Sequence, residues 1–116
     1  MQKRFGDLFR LPSNVFKKIT LGEAFFDLDR KNIIIGEISI RLSPFENELL
    51  LLLLDDNFEY VSRELINVRV QNNIKSKSSR SAEMLVARLR KKLIVTGVDI
   101  FVKYRDGYYL DIVSEN

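Results

Sequence analysis

The spacing of apolar residues changes at Ser43. This change separates a region of predicted strands from the first predicted helices. In residues 19–41, short β-branched and aromatic runs are interrupted by Gly22, by residues 29–32 and by Gly36. Short runs divided by turn residues predict an antiparallel meander of about four strands, packed on one face only. From Ser43 onward the apolar spacing becomes that of helices.

Two helices are predicted after the meander. The first begins at Ser43, because Ser43, Pro44 and Glu46 have the spacing of a capping box with proline at the first helical position. The leucine run 49–54 supplies more than one apolar face, so this helix should be largely buried. The run is far shorter than the ~20 apolar residues that span a bilayer, so it does not predict a membrane segment. Ser62 is a candidate cap for a second, short helix.

The most basic segment of the chain, residues 80–93 (RSAEMLVARLRKKL), is also its best amphipathic helix. A spacing of 3.6 residues predicts that one stripe of this helix is buried, formed by Ala82, Val86, Leu89 and Leu93 with Leu85 beside it. The opposite side is cationic and carries Arg80, Met84, Ala87, Arg88 and Lys91. Arg90 and Lys92 flank the apolar stripe. For an isolated segment, a solvated charged face would explain this pattern equally well.

The segments on either side of the basic helix complete a known layout. Residues 71–79 are rich in Asn, Lys and Ser and predict a polar loop. After Leu93 come two β runs that meet at residues 105–107, where Asp106 followed by Gly107 is a strong hairpin signal. Strands, a helix, a short helix, a loop, a basic helix and a hairpin, in this order, predict an α+β winged helix-turn-helix domain.

Composition removes most enzyme classes. The chain has no cysteine and no histidine, which excludes cysteine and histidine nucleophiles and takes away the commonest general base and the commonest metal ligands. The adjacent carboxylates Asp55 and Asp56 are typical of a turn, and no partner residue converges on them. We therefore expect no enzymatic activity, no metal and no cofactor. The absence of a secretory pattern favours the cytoplasm.

Charge is distributed unevenly along the chain. The net charge is only +3, yet residues 74–93 contain seven basic residues against Glu83 alone. The remainder of the chain is therefore net negative. A protein that concentrates its positive charge in one helix and the loop before it has the electrostatic pattern expected for a polyanion ligand such as nucleic acid.

Four motifs together resemble one family. They are LSPFENELLLLLL, VSRELI, RSAEMLVARLRKKL and DGYYL, which lie in this order within residues 42–110. They are similar to the OmpR/PhoB-type winged helix-turn-helix effector domain of bacterial response regulators, which also has a preceding four-stranded sheet. The resemblance implies an N-terminal tether or linker stub at residues 1–18, a DNA-binding domain at residues 19–113 and a tail at residues 114–116.

The resemblance also implies a function and a set of contacts. The expected function is sequence-specific binding of double-stranded DNA by a transcription regulator of a two-component phosphorelay, with helix 80–93 in the major groove and wing 98–112 at the adjacent groove or backbone. The implied base-reading residues are Arg88, Arg90 and Met84. The implied phosphate contacts are Arg80, Ser81, Lys75, Lys77, Lys91 and Lys92. The implied wing contacts are Lys103, Tyr104 and Arg105. Arg90 lies between the two faces of its helix and could instead pair with an acidic residue of the domain.

Partners follow from the same resemblance. Double-stranded DNA is the expected ligand, RNA polymerase is a candidate partner of loop 71–79, and a tandem homodimer on DNA is expected. No membrane association is expected, and the location implied is the bacterial cytoplasm, at the nucleoid. The chain departs from the family in lacking tryptophan, with Gln71 near the place where one usually follows the second helix.

A second hypothesis belongs to a different class. The chain could be a winged-helix interaction module that has lost DNA binding and docks on an acidic protein surface. Two features favour it: the arginine usual in the wing is displaced or missing, and Met84 and Leu85 lie on or beside the exposed face. Absence of binding to duplex DNA at low salt would support this hypothesis.

Overall fold

A computed structural model of the protein describes residues 18–71, 81–103 and 107–113, without the side chain of Gln71. The first four strands form one antiparallel sheet in chain order: β1 (Lys18–Leu21), β2 (Ala24–Asp27), β3 (Asn32–Ile35) and β4 (Ile38–Arg41). The helices are α1 (Pro44–Leu53), α2 (Arg63–Leu65), which continues as a π-helical segment (Ile66–Gln71), and α3 (Ala82–Leu93). A hairpin of β5 (Val98–Lys103) and β6 (Gly107–Ile112) follows. The predicted winged-helix architecture is confirmed.

The sheet buries one of its two faces, as the sequence predicts. Phe26 on β2 pairs with Ile33 on β3, and both side chains are fully buried against the helices. The next pair along the same ladder, Phe25 and Ile34, points to the opposite face, where Phe25 remains exposed. Successive residues of a strand alternate between faces, so this register directs Phe26 and Ile33 into the core together.

Two of the three hairpin turns of the sheet, the β1–β2 and the β3–β4 turns, have the same sequence but different surroundings. Each turn is a Gly-Glu pair, and Gly22 and Gly36 both have positive φ, at 63° and 58°. The amide of Glu23 in the first turn donates a hydrogen bond to the carbonyl of Thr96 at 2.8 Å. A Cβ on Gly22 would lie 2.2 Å from that oxygen, whereas a Cβ on Gly36 would have nothing within 4 Å. The first turn therefore packs against Thr96, in the segment that follows α3.

The capping box predicted for α1 is present. The amide of Glu46 donates to the Ser43 hydroxyl at 3.1 Å, and the amide of Ser43 donates to the Glu46 carboxylate at 2.8 Å. Both hydrogen bonds satisfy amides that lack an intrahelical acceptor. Beyond this cap, α1 contributes buried leucines to the core between the sheet and α3, namely Leu49, Leu50, Leu52 and Leu53. No helix in the described part of the chain combines the length and the apolar character that crossing a membrane demands.

Thr96 holds together the junction between α3 and the wing. A 3₁₀ turn (Ile94–Thr96) follows α3, and the chain then reverses at Gly97, whose φ is 86°. The Thr96 hydroxyl donates to the Leu93 carbonyl at 2.7 Å and accepts from the Val98 amide at 3.0 Å. The side chain is completely buried. One hydroxyl thus joins the end of the helix to the start of the hairpin.

We expect Thr96→Val to lower the free energy of unfolding by about 1–3 kcal/mol, because the Leu93 carbonyl and the Val98 amide would lose a buried partner while the volume of the side chain is kept. Urea unfolding of the variant and the parent measures the difference. Thr20→Val on β1 is the control, since Thr20 is only half-buried and its change keeps a β-branched residue in a strand. Equal effects of the two substitutions would contradict this role for Thr96.

Candidate nucleic-acid interface

The basic helix is shorter at its start than the sequence pattern indicates. It runs from Ala82 to Leu93, and Ser81 is its N-cap, with the hydroxyl accepting from the Met84 amide at 3.2 Å. Every residue of the predicted apolar stripe is buried. Leu85, which is predicted beside the buried stripe and also counts among the apolar residues on or beside the exposed face, is a core residue with 1% exposure. Leu85 is therefore not available to a docking partner. Of the two apolar residues that favour the protein-interaction hypothesis, only Met84 remains.

The opposite face of α3 is open and carries two cations. Met84, Ala87, Arg88 and Lys91 are all exposed. Neither Arg88 nor Lys91 has a hydrogen-bond or ion-pair partner in the ranges that the structure describes. The spacing of these residues places them along one side of the helix, each within one turn of the next. Their side chains are therefore available to a ligand without loss of an internal contact.

Arg90 is held against the wing and does not share the open face. Its Nε lies 3.0 Å from Asp99 Oδ1 and its Nη2 lies 3.1 Å from Asp99 Oδ2, a bidentate pair with β5. The hydrogen bond from Arg90 holds the pKa of Asp99 below its ordinary value, and the same bond raises the pKa of Arg90. Base reading by Arg90 therefore remains a prediction, and in this structure its guanidinium makes the alternative contact predicted for it, an ion pair with an acidic residue of the domain.

Lys92 is also used inside the domain. Its Nζ donates to Glu46 Oε1 at 2.6 Å and to the Arg41 carbonyl at 2.7 Å. Burial alone would raise the pKa of Glu46, but hydrogen bonds from Lys92 and Ser43 and the charge of Lys92 outweigh burial and lower the pKa. The phosphate contact of Lys92 remains a prediction, and it would compete with the two internal hydrogen bonds that engage two of its three ammonium donors with α1 and β4.

A third ion pair braces the start of the helix. Arg63 on α2 contacts Glu83 on α3 at 2.7 Å, with both side chains about half exposed. Together with the pairs of Arg90 and Lys92, this contact joins α3 to α2, β5 and α1. The charged residues of the helix therefore divide into a bracing set and the open set of Arg88 and Lys91. The sequence does not reveal this division, because it depends on acidic residues that are distant along the chain.

The wing is tied to the segment that precedes α2. Val61 and Tyr108 exchange two backbone hydrogen bonds of 2.9 Å each, which adds a short bridge to the hairpin. A Cβ on Gly107 would lie 2.9 Å from the Cβ of Tyr60, so glycine permits this close approach. Sequence reasoning missed the bridge, although Tyr60 and Val61 form a short β-prone pair just before the Ser62 cap.

The residues predicted for the wing are described in part. Lys103 is an exposed residue at the end of β5, opposite Gly107, with its ammonium 5.6 Å from the centre of the Tyr60 ring. Tyr104 and Arg105 lie outside the described residues. The predicted phosphate contacts Lys75, Lys77 and Arg80, and nearly all of the loop 71–79, also lie outside them. Ser81 is exposed at the start of α3.

Comparison with known proteins gives two matches of different kinds. The sequence profile of the family described as "Transcriptional regulatory protein, C terminal" matches residues 37–110. A solved structure described as the response regulator AdeR DNA-binding domain in complex with an intercistronic region has a similar fold, with a TM-score of 0.58 and 21% identity. That match covers 78% of this chain and 94% of the other chain. No curated protein matches the chain.

Proposed function

Because the chain belongs to the family of C-terminal domains of OmpR/PhoB-type transcriptional regulatory proteins, we propose that α3 and the wing bind double-stranded DNA sequence-specifically. In this proposal α3 enters the major groove and the β5–β6 hairpin contacts the adjacent groove or backbone. The fold of the AdeR DNA-binding domain, determined in complex with an intercistronic region, is similar to that of this chain. The chain then acts as a transcription regulator of the response-regulator type.

One observation carries the proposal: the open face of α3 presents Arg88 and Lys91 while the neighbouring charges are paired within the domain. A guanidinium can donate two parallel hydrogen bonds to O6 and N7 of guanine, which suits Arg88 to base reading. An ammonium is a compact charge without that fork geometry, so Lys91 is better suited to phosphate. Ser81 lies at the start of the helix, where free backbone amides favour an anion.

The ion pairs around α3 support the same function. A recognition helix has to hold its reading side chains in one orientation, and pairs to α1, α2 and β5 fix α3 from three directions. The pair of Glu83 with Arg63 also affects the charge of the exposed side of α3, because it reduces the repulsion between Glu83 and phosphate.

We expect Arg88→Ala to weaken binding to the preferred duplex by about 1–3 kcal/mol and to relax the preference at one base pair. Lys91→Ala should instead weaken all duplexes alike and reduce the slope of log affinity against log salt by about 1. Fluorescence anisotropy on a selected duplex and on a scrambled duplex, over a range of salt concentrations, measures both effects. Arg30→Ala is the control, because Arg30 is an exposed arginine in the turn between β2 and β3.

Two results would count against the proposal in different ways. If Arg88→Ala lowered affinity equally on every sequence, Arg88 would be a phosphate contact and not a base reader. If the parent chain failed to bind duplex DNA even at low salt, the proposal would fail and the protein-interaction module would be favoured. Neither Arg90 nor Lys92 should contribute to the salt slope as Lys91 does, since both are paired inside the domain.

The remaining contacts are proposed on the family resemblance. Arg80, Lys75 and Lys77 would contact phosphate before α3, and Lys103, Tyr104 and Arg105 would contact DNA from the wing. RNA polymerase is proposed as a partner of loop 71–79, and two copies of the chain are proposed to bind in tandem on DNA. Selection of bound duplexes from a random pool tests the tandem arrangement, because it reveals whether half-sites repeat in the same orientation.

A further inference from the structure

Strand β4 forms one edge of the four-stranded sheet, and the side of it that faces away from β3 has no neighbouring strand among the described residues. It is also the most exposed strand of the sheet: of its four residues only Ile40 is half-buried, and Ile38 is 58% exposed. An edge strand presents backbone amides and carbonyls that can pair with another chain. The free edge of β4 is therefore a candidate interaction surface.

The ladder between β3 and β4 determines which backbone groups of β4 point outward. The amide of Leu42 donates a hydrogen bond to the carbonyl of Lys31 at 3.0 Å. Bonded pairs alternate along an antiparallel ladder, so Ile40 and Ile38 are the next residues that bond to β3. The amide and the carbonyl of Ser39 therefore point to the free edge. A further strand would pair with β4 at Ser39.

The sequence around Ser39 is complementary to itself. Residues 37–41 read EISIR, so an antiparallel copy centred on Ser39 places Glu37 opposite Arg41 of the second copy. The same register places Ile38 opposite Ile40 of the second copy, on the face of the sheet that is turned to the core. Glu37 and Arg41 are exposed, and neither side chain has an ion-pair partner in the described ranges. Within one chain they lie about 10–13 Å apart along the strand, too far to pair with each other.

We infer that two copies of the chain associate through their β4 edges, related by a two-fold axis at Ser39. The contact consists of two backbone hydrogen bonds between the Ser39 residues, two ion pairs between Glu37 and Arg41, and burial of Ile38. A strand of four residues buries much less area than a stable dimer needs, so the association is weak and depends on concentration. It goes beyond the proposed function and differs from the tandem arrangement on DNA, in which both copies have the same orientation along the duplex.

Sedimentation of the full chain without DNA, over a range of protein concentrations, tests this contact. The parent should show an equilibrium between monomer and dimer. Glu37→Arg alone and Arg41→Glu alone should each weaken association by about three- to thirtyfold, because each replaces two ion pairs with two pairs of like charge. An equal mixture of the two variants should associate as well as the parent, since the mixed dimer again has opposite charges at both ends of the contact.

Arg30→Glu is the control, because it makes the same change of charge at an exposed arginine in the turn between β2 and β3 and should leave association unchanged. Hydrogen exchange of the Ser39 amide should slow as the concentration of the parent rises, and a rate that does not change while dimer forms overturns the strand pairing. A parent that stays monomeric at its highest soluble concentration overturns the inference. So does a dimer that Glu37→Arg leaves unchanged, or a mixture that associates no better than either variant alone.

Discussion

Gly22→Ala should lower the free energy of unfolding by about 1.5–3.5 kcal/mol. The left-handed backbone of Gly22 alone costs a residue with a Cβ about 1–2 kcal/mol. The added Cβ would also lie 2.2 Å from the Thr96 carbonyl oxygen, so the turn has to move away. That movement breaks the hydrogen bond from the Glu23 amide to Thr96, a further loss of about 0.5–1.5 kcal/mol. Urea unfolding measures the sum.

Gly36→Ala is the matched control for this prediction. Gly36 occupies the same position in a turn of the same sequence, with φ of 58° against 63° for Gly22, but a Cβ at Gly36 would have nothing within 4 Å. Its substitution should therefore cost only the backbone term of about 1–2 kcal/mol. The difference between the two variants isolates the contact with Thr96. Equal losses would mean that the first turn is not docked on the junction.

Lys92→Met should lower the free energy of unfolding by about 2–4 kcal/mol, somewhat less than the usual loss for a fully buried pair because Lys92 is partly exposed. The substitution keeps an unbranched side chain and removes the charge that faces Glu46, which is itself only 4% exposed. Lys91→Met is the control at the adjacent exposed position, where we expect a change within about 0.5 kcal/mol. Chemical unfolding of both variants at pH 7 makes the comparison.

Lowering the pH should reduce the difference between the parent and Lys92→Met. In the parent the pKa of Glu46 is lowered on folding, so its contribution to stability is present above the unfolded value of ~4.3 and is lost as the pH falls through the folded value. In the variant the two lowering effects of Lys92 are gone and only the hydrogen bonds with Ser43 oppose burial, so protonation of Glu46 costs the folded state less than in the parent. A difference that stayed constant from pH 7 to pH 3 would contradict the pairing of Lys92 with Glu46.

Much of the fold is predictable because its signals are local. Ser43, Pro44 and Glu46 specify the start of α1 within a few residues, and the structure shows the complete capping box. The four strands follow from short β-prone runs between turn residues, and the buried stripe of α3 follows from helical periodicity. These features depend on neighbours in sequence, so one sequence is enough to find them.

The functional division of α3 is not predictable in the same way. Arg88, Arg90, Lys91 and Lys92 have similar chemistry in the sequence, yet within the described residues Arg88 and Lys91 are open and the other two are paired. Lys92 donates a hydrogen bond to Glu46, which lies 46 positions earlier in the chain. Such pairing depends on which acidic residue the tertiary structure brings near, and helical periodicity carries no information about that.

The docking of the first turn on Thr96 leads us to expect that the part of the chain that folds on its own includes β1 and β2. The segment that matches the family profile, residues 37–110, begins after β3 and lacks the Glu23 amide that pairs with the Thr96 carbonyl. Excised at that boundary, the chain would also lose Phe26 and Ile33 from its core. We therefore expect the four-stranded sheet and the helices to unfold in a single cooperative transition, and the unit that folds on its own to be longer than the stretch that matches the family profile.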